Sequence, residues 1–359
     1  MNHLLKKINQ KVRPGKLHYG PSWIVLGVNN LCNLHCKMCD VGTQSNDTNF
    51  ATNLVGTRPL NMPIELFKKT VDQCAKYYPD VKLGYAFTEP LIYKHLEESL
   101  EYAKRHNLYT SITTNALNLR LKADALIEHG VADLFISLDG TEEIHNEIRG
   151  HKKSFQWAIE GMEKVLSKTD AIGFSIYFVI TEWNSHNLID FAEFFRAYPI
   201  KQLGFLHPNY TLEKTANEHN SLAFGTEYPA THSNIEEVDP SKIDIPLLKD
   251  QIATIRSREY PFDIVFQPEL HTDQDFDNFY QHPEIYMGKG CTDVFENVML
   301  KSDGTMIPAH GRCYNISVGN LYETELPEIW NSMVFSKFRK TLANNGGYFP
   351  ACSRCCSAF

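Results

Sequence analysis

Three thiols fall within eight residues of one loop, Cys32, Cys36 and Cys39, in the spacing CxxxCxxC. They follow a short apolar run, residues 23–28. Three cysteines do not close a four-ligand site. A cubane iron–sulfur cluster has four irons, so three thiolates leave one iron open to another ligand. That open iron is the chemistry this spacing points to. The competing readings are zinc and simple packing. His35 lies inside the triplet, but its spacing to either flank fits no zinc knuckle. Three buried structural cysteines so close in a polar loop would be unusual.

A second group sits near the other end: Cys291, Cys313, Cys352, Cys355 and Cys356. Between the first two, residues 294–308 read as a β-hairpin around a Ser302-Asp303-Gly304 turn. A helix over 326–342 follows, and then the CxxC pair. Four of these thiols would close every position of one cluster. A zinc ribbon uses similar knuckles, and a zinc-stabilised binding protein is the non-enzyme alternative. Nine cysteines in 359 residues are too few for a disulfide scaffold. Cys74 stands alone and reads as a packed helical residue.

The elements that must position these groups alternate. Strands are expected at 23–28, 82–87, 110–114, 134–138, 173–180 and 202–206. Helical patterns lie between them at 63–78, 93–106, 119–129, 153–167 and 187–197. Strands alternating with helices imply right-handed βαβ units and a parallel sheet, here an α/β partial (β/α)6 barrel. Such folds put chemistry in loops after the strand C-termini, where Cys32–Cys39 falls. The expected organisation is an N-terminal extension (1–22), a core barrel (23–208), a connecting segment (209–285) and a small α+β cluster-binding domain (286–359). Residues 42–62 are polar and follow the thiol loop, as a lid or a plain surface loop. Residues 210–245 read as a connecting excursion, followed by a helix at 246–258 and a strand at 262–267.

The spacing and its setting resemble the radical SAM (S-adenosylmethionine) enzymes. Their second strand is followed by a Gly-Gly-Glu-Pro turn; here the sequence is Phe87-Thr88-Glu89-Pro90. Their Thr-Asn-Gly turn corresponds to Thr114-Asn115-Ala116. The run Ser137-Leu138-Asp139-Gly140, with His145 and Arg149-Gly150, is similar to members carrying a C-terminal SPASM or twitch domain. The resemblance implies that the open iron chelates SAM and that Glu89 holds its amino group. It places Met38, Thr88 and Asn115 beside the cofactor, Ser137 on the ribose and Arg149 on the carboxylate. Arg suits a carboxylate because its planar fork donates two parallel bonds. It implies a second, auxiliary [4Fe–4S] cluster on Cys291, Cys313, Cys352 and Cys355. The related cysteine just after the hairpin falls here at Ala309, with Cys313 in its stead. Cys356 is left as an alternative ligand, a redox-inactive neighbour or a hydrogen-atom donor.

From this follows an oxidoreductase that abstracts hydrogen from a small polar biosynthetic substrate and passes an electron to the auxiliary cluster. Redox-neutral epimerisation with Cys356 returning the hydrogen atom, and maturation of a ribosomal peptide, are the alternatives. Only about twenty residues precede the first strand, which favours a small substrate. A flavodoxin- or ferredoxin-type donor would supply electrons. Tyr85, Tyr177, His207, Asn209 and His310 are candidate substrate contacts. Asp139 is expected to cap the next helix, and His145 to pack. The net charge of -8 and pI of about 6.0 argue against nucleic acid as a partner. No run is long enough to span a membrane and no signal peptide is seen, so a cytoplasmic location is expected. Leu4, Leu5, Ile8 and Val12 would place a short amphipathic helix against the domain.

Overall fold

In a computed structural model, residues 3–233 and 239–359 are described. A helix, α1 (His3–Val12), precedes the first strand, β1 (Trp23–Leu26). Then come α2 (Asn49–Val55), α3 (Ile64–Tyr77), β2 (Lys82–Tyr85), α4 (Leu96–Arg105), β3 (Thr110–Thr114), α5 (Leu119–Glu128) and β4 (Asp133–Ser137). Two helices, α6 (Glu142–Arg149) and α7 (Ser154–Leu166), lead to β5 (Gly173–Val179), α8 (Leu188–Phe194) and β6 (Gln202–Leu206). The chain continues through α9 (Glu213–Ser221), α10 (Ile245–Arg256), β7 (Asp263–Gln267) and α11 (Asp273–Tyr280). It ends with the hairpin β8 (Asn297–Leu300) and β9 (Thr305–Pro308), the short β10 (Gly319–Asn320), α12 (Leu326–Trp330) and α13 (Met333–Asn344).

The ten strands of the described residues form one sheet in the order β10-β9-β8-β1-β2-β3-β4-β5-β6-β7. Strands β1 to β7 are parallel, each paired with the next. The pleat divides them into two faces. Ile24 and Leu26 are fully buried in the core, among residues such as Leu66, Phe67 and Val71 of α3. Trp23 and Val25 take the opposite face and are only half-buried. Tyr177 takes the inner face of β5, where its ring occupies the space that glycine leaves at Gly204; a Cβ there would stand 2.7 Å from it.

The expected six-stranded barrel is extended at both edges. Strand β7, expected in the connecting segment, adds parallel to β6. Strand β8 adds parallel to β1, with Trp23 opposite Asn297 and Leu26 opposite Leu300. The C-terminal hairpin therefore shares the barrel's sheet rather than forming a sheet of its own.

Several expectations are corrected. The helix expected over 326–342 is two helices, because the Ser332 hydroxyl accepts the Phe335 amide and starts α13 afresh. Residues 42–62 contain α2, capped by Thr48. The 210–245 excursion contains α9, and residues 234–238 of it lie outside the described residues. The N-terminal helix forms, but Leu5, Ile8 and Val12 face outward, 49–69% exposed. Its polar side docks instead: the Lys6 ammonium donates to Ser22 and Glu296, and Gln10 to Tyr19. Two proposed substrate contacts are core residues. Tyr85 is buried behind β2 and donates to Ser99 of α4. His207 is 1% exposed, enclosed by Phe276, Phe279 and Tyr280, and shares a hydrogen bond with the Tyr280 hydroxyl. No helix among the described residues is long and apolar enough to cross a membrane.

Burial, aided by the charge of Arg256, pushes His207 down to about 3. An unfolded chain protonates this histidine near 6.5. The unfolded state therefore binds the extra proton first, and stability falls as pH drops through that window. Urea midpoints compared at pH 7.5 and 4.5 should show wild type losing about 2–3 kcal/mol more than His207→Gln. Equal losses in the two proteins would remove His207 as the cause.

Candidate active site

The thiol loop leaves β1 through Asn29 and Asn30. The Asn29 amide donates to the Glu89 carbonyl, and its oxygen accepts from Leu31 and Thr88. Asn30 donates to Thr57, whose hydroxyl meets Ser302 of the hairpin turn. The doublet Asn29-Asn30 thus ties the thiol loop to the turn after β2 and to the hairpin. Sequence reasoning passed over it, although paired amides beside a ligand loop are a readable signal.

Beyond the asparagines, Cys32, Cys36, Cys39 and Met38 pack with Leu34, Leu117 and Trp157. Burial raises the Cys36 thiol to about 12, with Arg149 opposing the shift. Helix α6 closes against this loop. The Ile148 carbonyl accepts the Lys37 amide, and Gly150 ends the helix in the left-handed region at φ 67°, its Cβ position only 3.1 Å from the His35 carbonyl.

Glu89 is fully buried. Its carboxylate accepts from the Leu91 amide (2.9 Å), the Thr114 hydroxyl (2.6 Å) and the Asn115 amide (2.8 Å). The resemblance assigns it to a SAM amino group; within the protein these bonds fasten the turn after β2 to the turn after β3. Asn115 then reaches the thiol loop, donating to Asn33 at 2.8 Å with Cys32 Sγ at 4.0 Å. Arg149 is paired with Asp139, and its Nη1 lies 3.7 Å from Cys36 Sγ. Asp139 is therefore not the expected helix cap. Its carboxylate takes Arg149 and the Val179 amide, and α6 starts after Thr141. His145 packs as expected, and its Nδ1 accepts the Asp139 amide. Ser137 ends β4 half-buried, opposite Tyr177.

Where the resembling turns carry glycine, this chain keeps the backbone without it. Phe87 has φ 62°, Thr88 45° and Ala116 60°. A side chain in the left-handed region costs roughly 1–2 kcal/mol. The two turns are held there by the Asn29, Thr88 and Glu89 bonds. Ala309 is likewise left-handed, at φ 54°.

The second thiol group gathers from three loops. Burial first, then the neighbouring Cys291 and Cys352, pushes Cys313 far up. Cys291 is raised by burial, Asp293 and Cys352. Cys355 is raised by its hydrogen bond with Cys356, by burial, and by Cys352 and Cys291. The Tyr314 hydroxyl stands 3.4 Å from Cys352. Four desolvated thiols that repel each other's ionisation make a ligand set that metal binding deprotonates. Among the described residues no three His, Cys, Asp or Glu side chains converge at single-ion spacing; a cubane spreads its thiolates over four irons. Arg354, inside the CxxC pair, is buried and donates to the carbonyls of Asn278, Phe279, His282 and Ile285.

The turn after β2 meets the loop that carries the second thiol group past the hairpin. The Phe87 ring contacts His310, with centroids 6.2 Å apart. His310 Nε2 pairs with the Ser357 hydroxyl at 2.8 Å, which donates to Asp293 at 2.6 Å. Asn209 accepts the Cys356 amide. Of the proposed substrate contacts, Tyr177 lies opposite Ser137 and against Gly204, Asn209 anchors the C-terminal loop, and His310 stands at this junction. Helix α2 covers it: Asn53 donates to the carbonyls of Gly311 and Cys313, and Asn49 to Pro229.

Comparison with known proteins places this geometry. Residues 27–195 match the profile described as the radical SAM superfamily, and 291–356 match an iron–sulfur cluster-binding domain, SPASM. The second match displaces zinc from the later thiols. Fe-coproporphyrin III synthase of Methanosarcina barkeri is 23% identical, over 92% of this chain and 80% of its own. SuiB of Streptococcus suis, bound to its precursor peptide SuiA, superposes with a TM-score of 0.62 at 17% identity, over 98% of this chain and 74% of SuiB. The anSMEcpe structure with AdoMet bound gives 0.59 at 18% identity, over 89% of this chain and 82% of that one.

The strained turns make a direct test. Ala116 and Ala123 are both fully buried, one left-handed and one inside α5. Ala116→Gly should change stability by less than about 1 kcal/mol, because relief of strain offsets the lost methyl. Ala123→Gly should cost about 2 kcal/mol from helix propensity and the same methyl. Chemical denaturation of both variants reads the difference; equal costs would mean the Ala116 turn is unstrained.

Proposed function

The chain belongs to the radical SAM enzymes that carry a SPASM iron–sulfur domain, and from that premise we propose that it dehydrogenates a small polar biosynthetic substrate. Cys32, Cys36 and Cys39 would hold the first cluster, which with SAM would supply radical hydrogen abstraction, and Cys291, Cys313, Cys352 and Cys355 would hold a second that would supply an electron acceptor. The observation that carries the oxidation is the second thiol set. Cys291, Cys313, Cys352 and Cys355 lie within electrostatic reach of one another, and four thiolates leave no iron open to a substrate.

The chain's own groups divide the remaining work. Ser137, Met38 and Thr88 border the SAM side. Glu89, Asn115 and Asp139 fix the turns around it, and the Arg149 guanidinium stays beside Cys36. Helix α2 excludes water from the space between the two sites. Its tethers to both flanks, at Pro229 and at Gly311, favour a small substrate over a peptide. Epimerisation keeps one candidate hydrogen donor, the Cys356 thiol, which shares a hydrogen bond with Cys355 at the edge of the second set.

Iron and sulfide per chain test this reading after anaerobic reconstitution. About eight irons should fall to about four in a Cys32/Cys36/Cys39→Ala variant. Wild type with dithionite should convert SAM to 5′-deoxyadenosine, and product mass should drop by two hydrogens. About four irons falling to none would remove the electron acceptor. An unchanged product mass would replace dehydrogenation by epimerisation.

A further inference from the structure

Among the described residues six charged side chains are buried: Glu89, Asp139, Arg149, Lys301, Arg339 and Arg354. Five have partners inside the protein. Glu89 takes three donors, Asp139 and Arg149 pair, and Arg339 and Arg354 donate to backbone carbonyls. Lys301 is 7% exposed as a whole residue, and its ammonium, which keeps contact with solvent, has no hydrogen bond or ion pair within the protein. Asp303 is the one acid whose charge it feels, and that carboxylate accepts the Thr305 amide. A lysine whose stem is buried and whose ammonium has only water for a partner is open to an anion from outside.

The register says where Lys301 stands. It follows β8 directly, at the end where β1 enters the thiol loop. Along β8, Met299 pairs with Val25, so Lys301 two residues on shares their face of the sheet. Gly27 stands beside it and offers no side chain; a Cβ there would meet Met299 Cε at 2.8 Å. That face is the one under the α2 cover, where Met299, Val25, Leu54 and Phe87 pack together. Burial draws the Lys301 amine down from its ordinary range.

We infer that Lys301 receives a carboxylate of the substrate, which makes this an enzyme of carboxylate-bearing metabolites. The inference rests on the radical SAM reading of the same site. An ammonium against an apolar wall binds a carboxylate far more strongly than it would in water. It also distinguishes the acid from its amide or ester, because a neutral group leaves the buried charge without its counter-charge.

Acylation of Lys301 by N-hydroxysulfosuccinimidyl acetate, read by peptide mass spectrometry on the reconstituted holoenzyme, is a local probe. Acetate, succinate and benzoate, each set against its amide, are the test ligands, with SAM alone as a separate arm. At least one carboxylate should protect Lys301 about tenfold better than its amide. Equilibrium dialysis of radiolabelled succinate or benzoate should then weaken about tenfold in Lys301→Met and less in Lys301→Arg. Equal protection by acid and amide, protection by none, or unweakened binding in Lys301→Met would overturn the inference. Protection by SAM alone would assign Lys301 to the cofactor and overturn it too. Should Lys301→Met not fold, the wild-type labelling decides. A wild type that labels as expected but makes no 5′-deoxyadenosine would sink the function and leave the carboxylate site standing.

Discussion

The parallel pairing of β8 with β1 is the constraint on which both thiol sites depend. Strand β1 leads directly into Cys32, and β8 leads through its hairpin to Cys313. The partners lie more than two hundred residues apart in sequence. Loop-closure entropy grows only slowly with such length, yet four paired residues alone do not offset it. Side contacts secure the joint. Gln73 of α3 accepts the Leu326 amide at the start of α12, and the Trp330 indole donates to the Tyr19 carbonyl. Arg339 of α13 reaches Val294 and Trp330. With the joint fixed, the distance between the two thiol groups is a property of one sheet.

Within that frame, buried charges do the fine placement. The chain keeps Phe87, Thr88 and Ala116 in backbone angles that glycine adopts freely, and it needs something to hold them there. Glu89 supplies it by drawing donors from two turns onto one carboxylate. Asp139 does the same on the other side, gathering Arg149 from α6 and the Val179 amide from β5. A buried carboxylate is expensive without donors and strongly orienting with them. Geometry that glycine would allow is here imposed by hydrogen bonds, and the outcome is a stiffer wall.

Much of this was legible in the sequence. The first six strands and their helices follow from apolar periodicity, and their centres were placed correctly. Both ends are right for β3 and β6 but not for the others: β2 stops at Tyr85 because Phe87 is left-handed, which its side chain does not announce. The helix break at Ser332 was a missed cap, readable in principle. The β8–β1 pairing had no local signal, since parallel partners carry no turn between them. His207 and Tyr85 looked like site residues because polar aromatics near strand ends face either way, and only packing decides. Glu89 and Arg149 carry bonds inside the protein that their motifs did not announce. A motif names the residues that meet at a site but not which of them is spent on the protein itself.

That distinction separates Lys301 from the other buried charges. A charge with a partner inside the protein is part of the scaffold, and its removal reads as lost stability. A charge without one is held ready for something that comes and goes. The surrounding cover suits such traffic. Helix α2 has seven residues, and its links to the flanks at Pro229, Gly311 and Cys313 are side-chain amides on carbonyl oxygens. Water can replace those bonds at little net cost, because each is worth about 1 kcal/mol. The apolar side of α2 is less easily exchanged: Ala51 and Leu54 are buried, and Leu54 packs on Met299 and Ile307, so cover and sheet share one core.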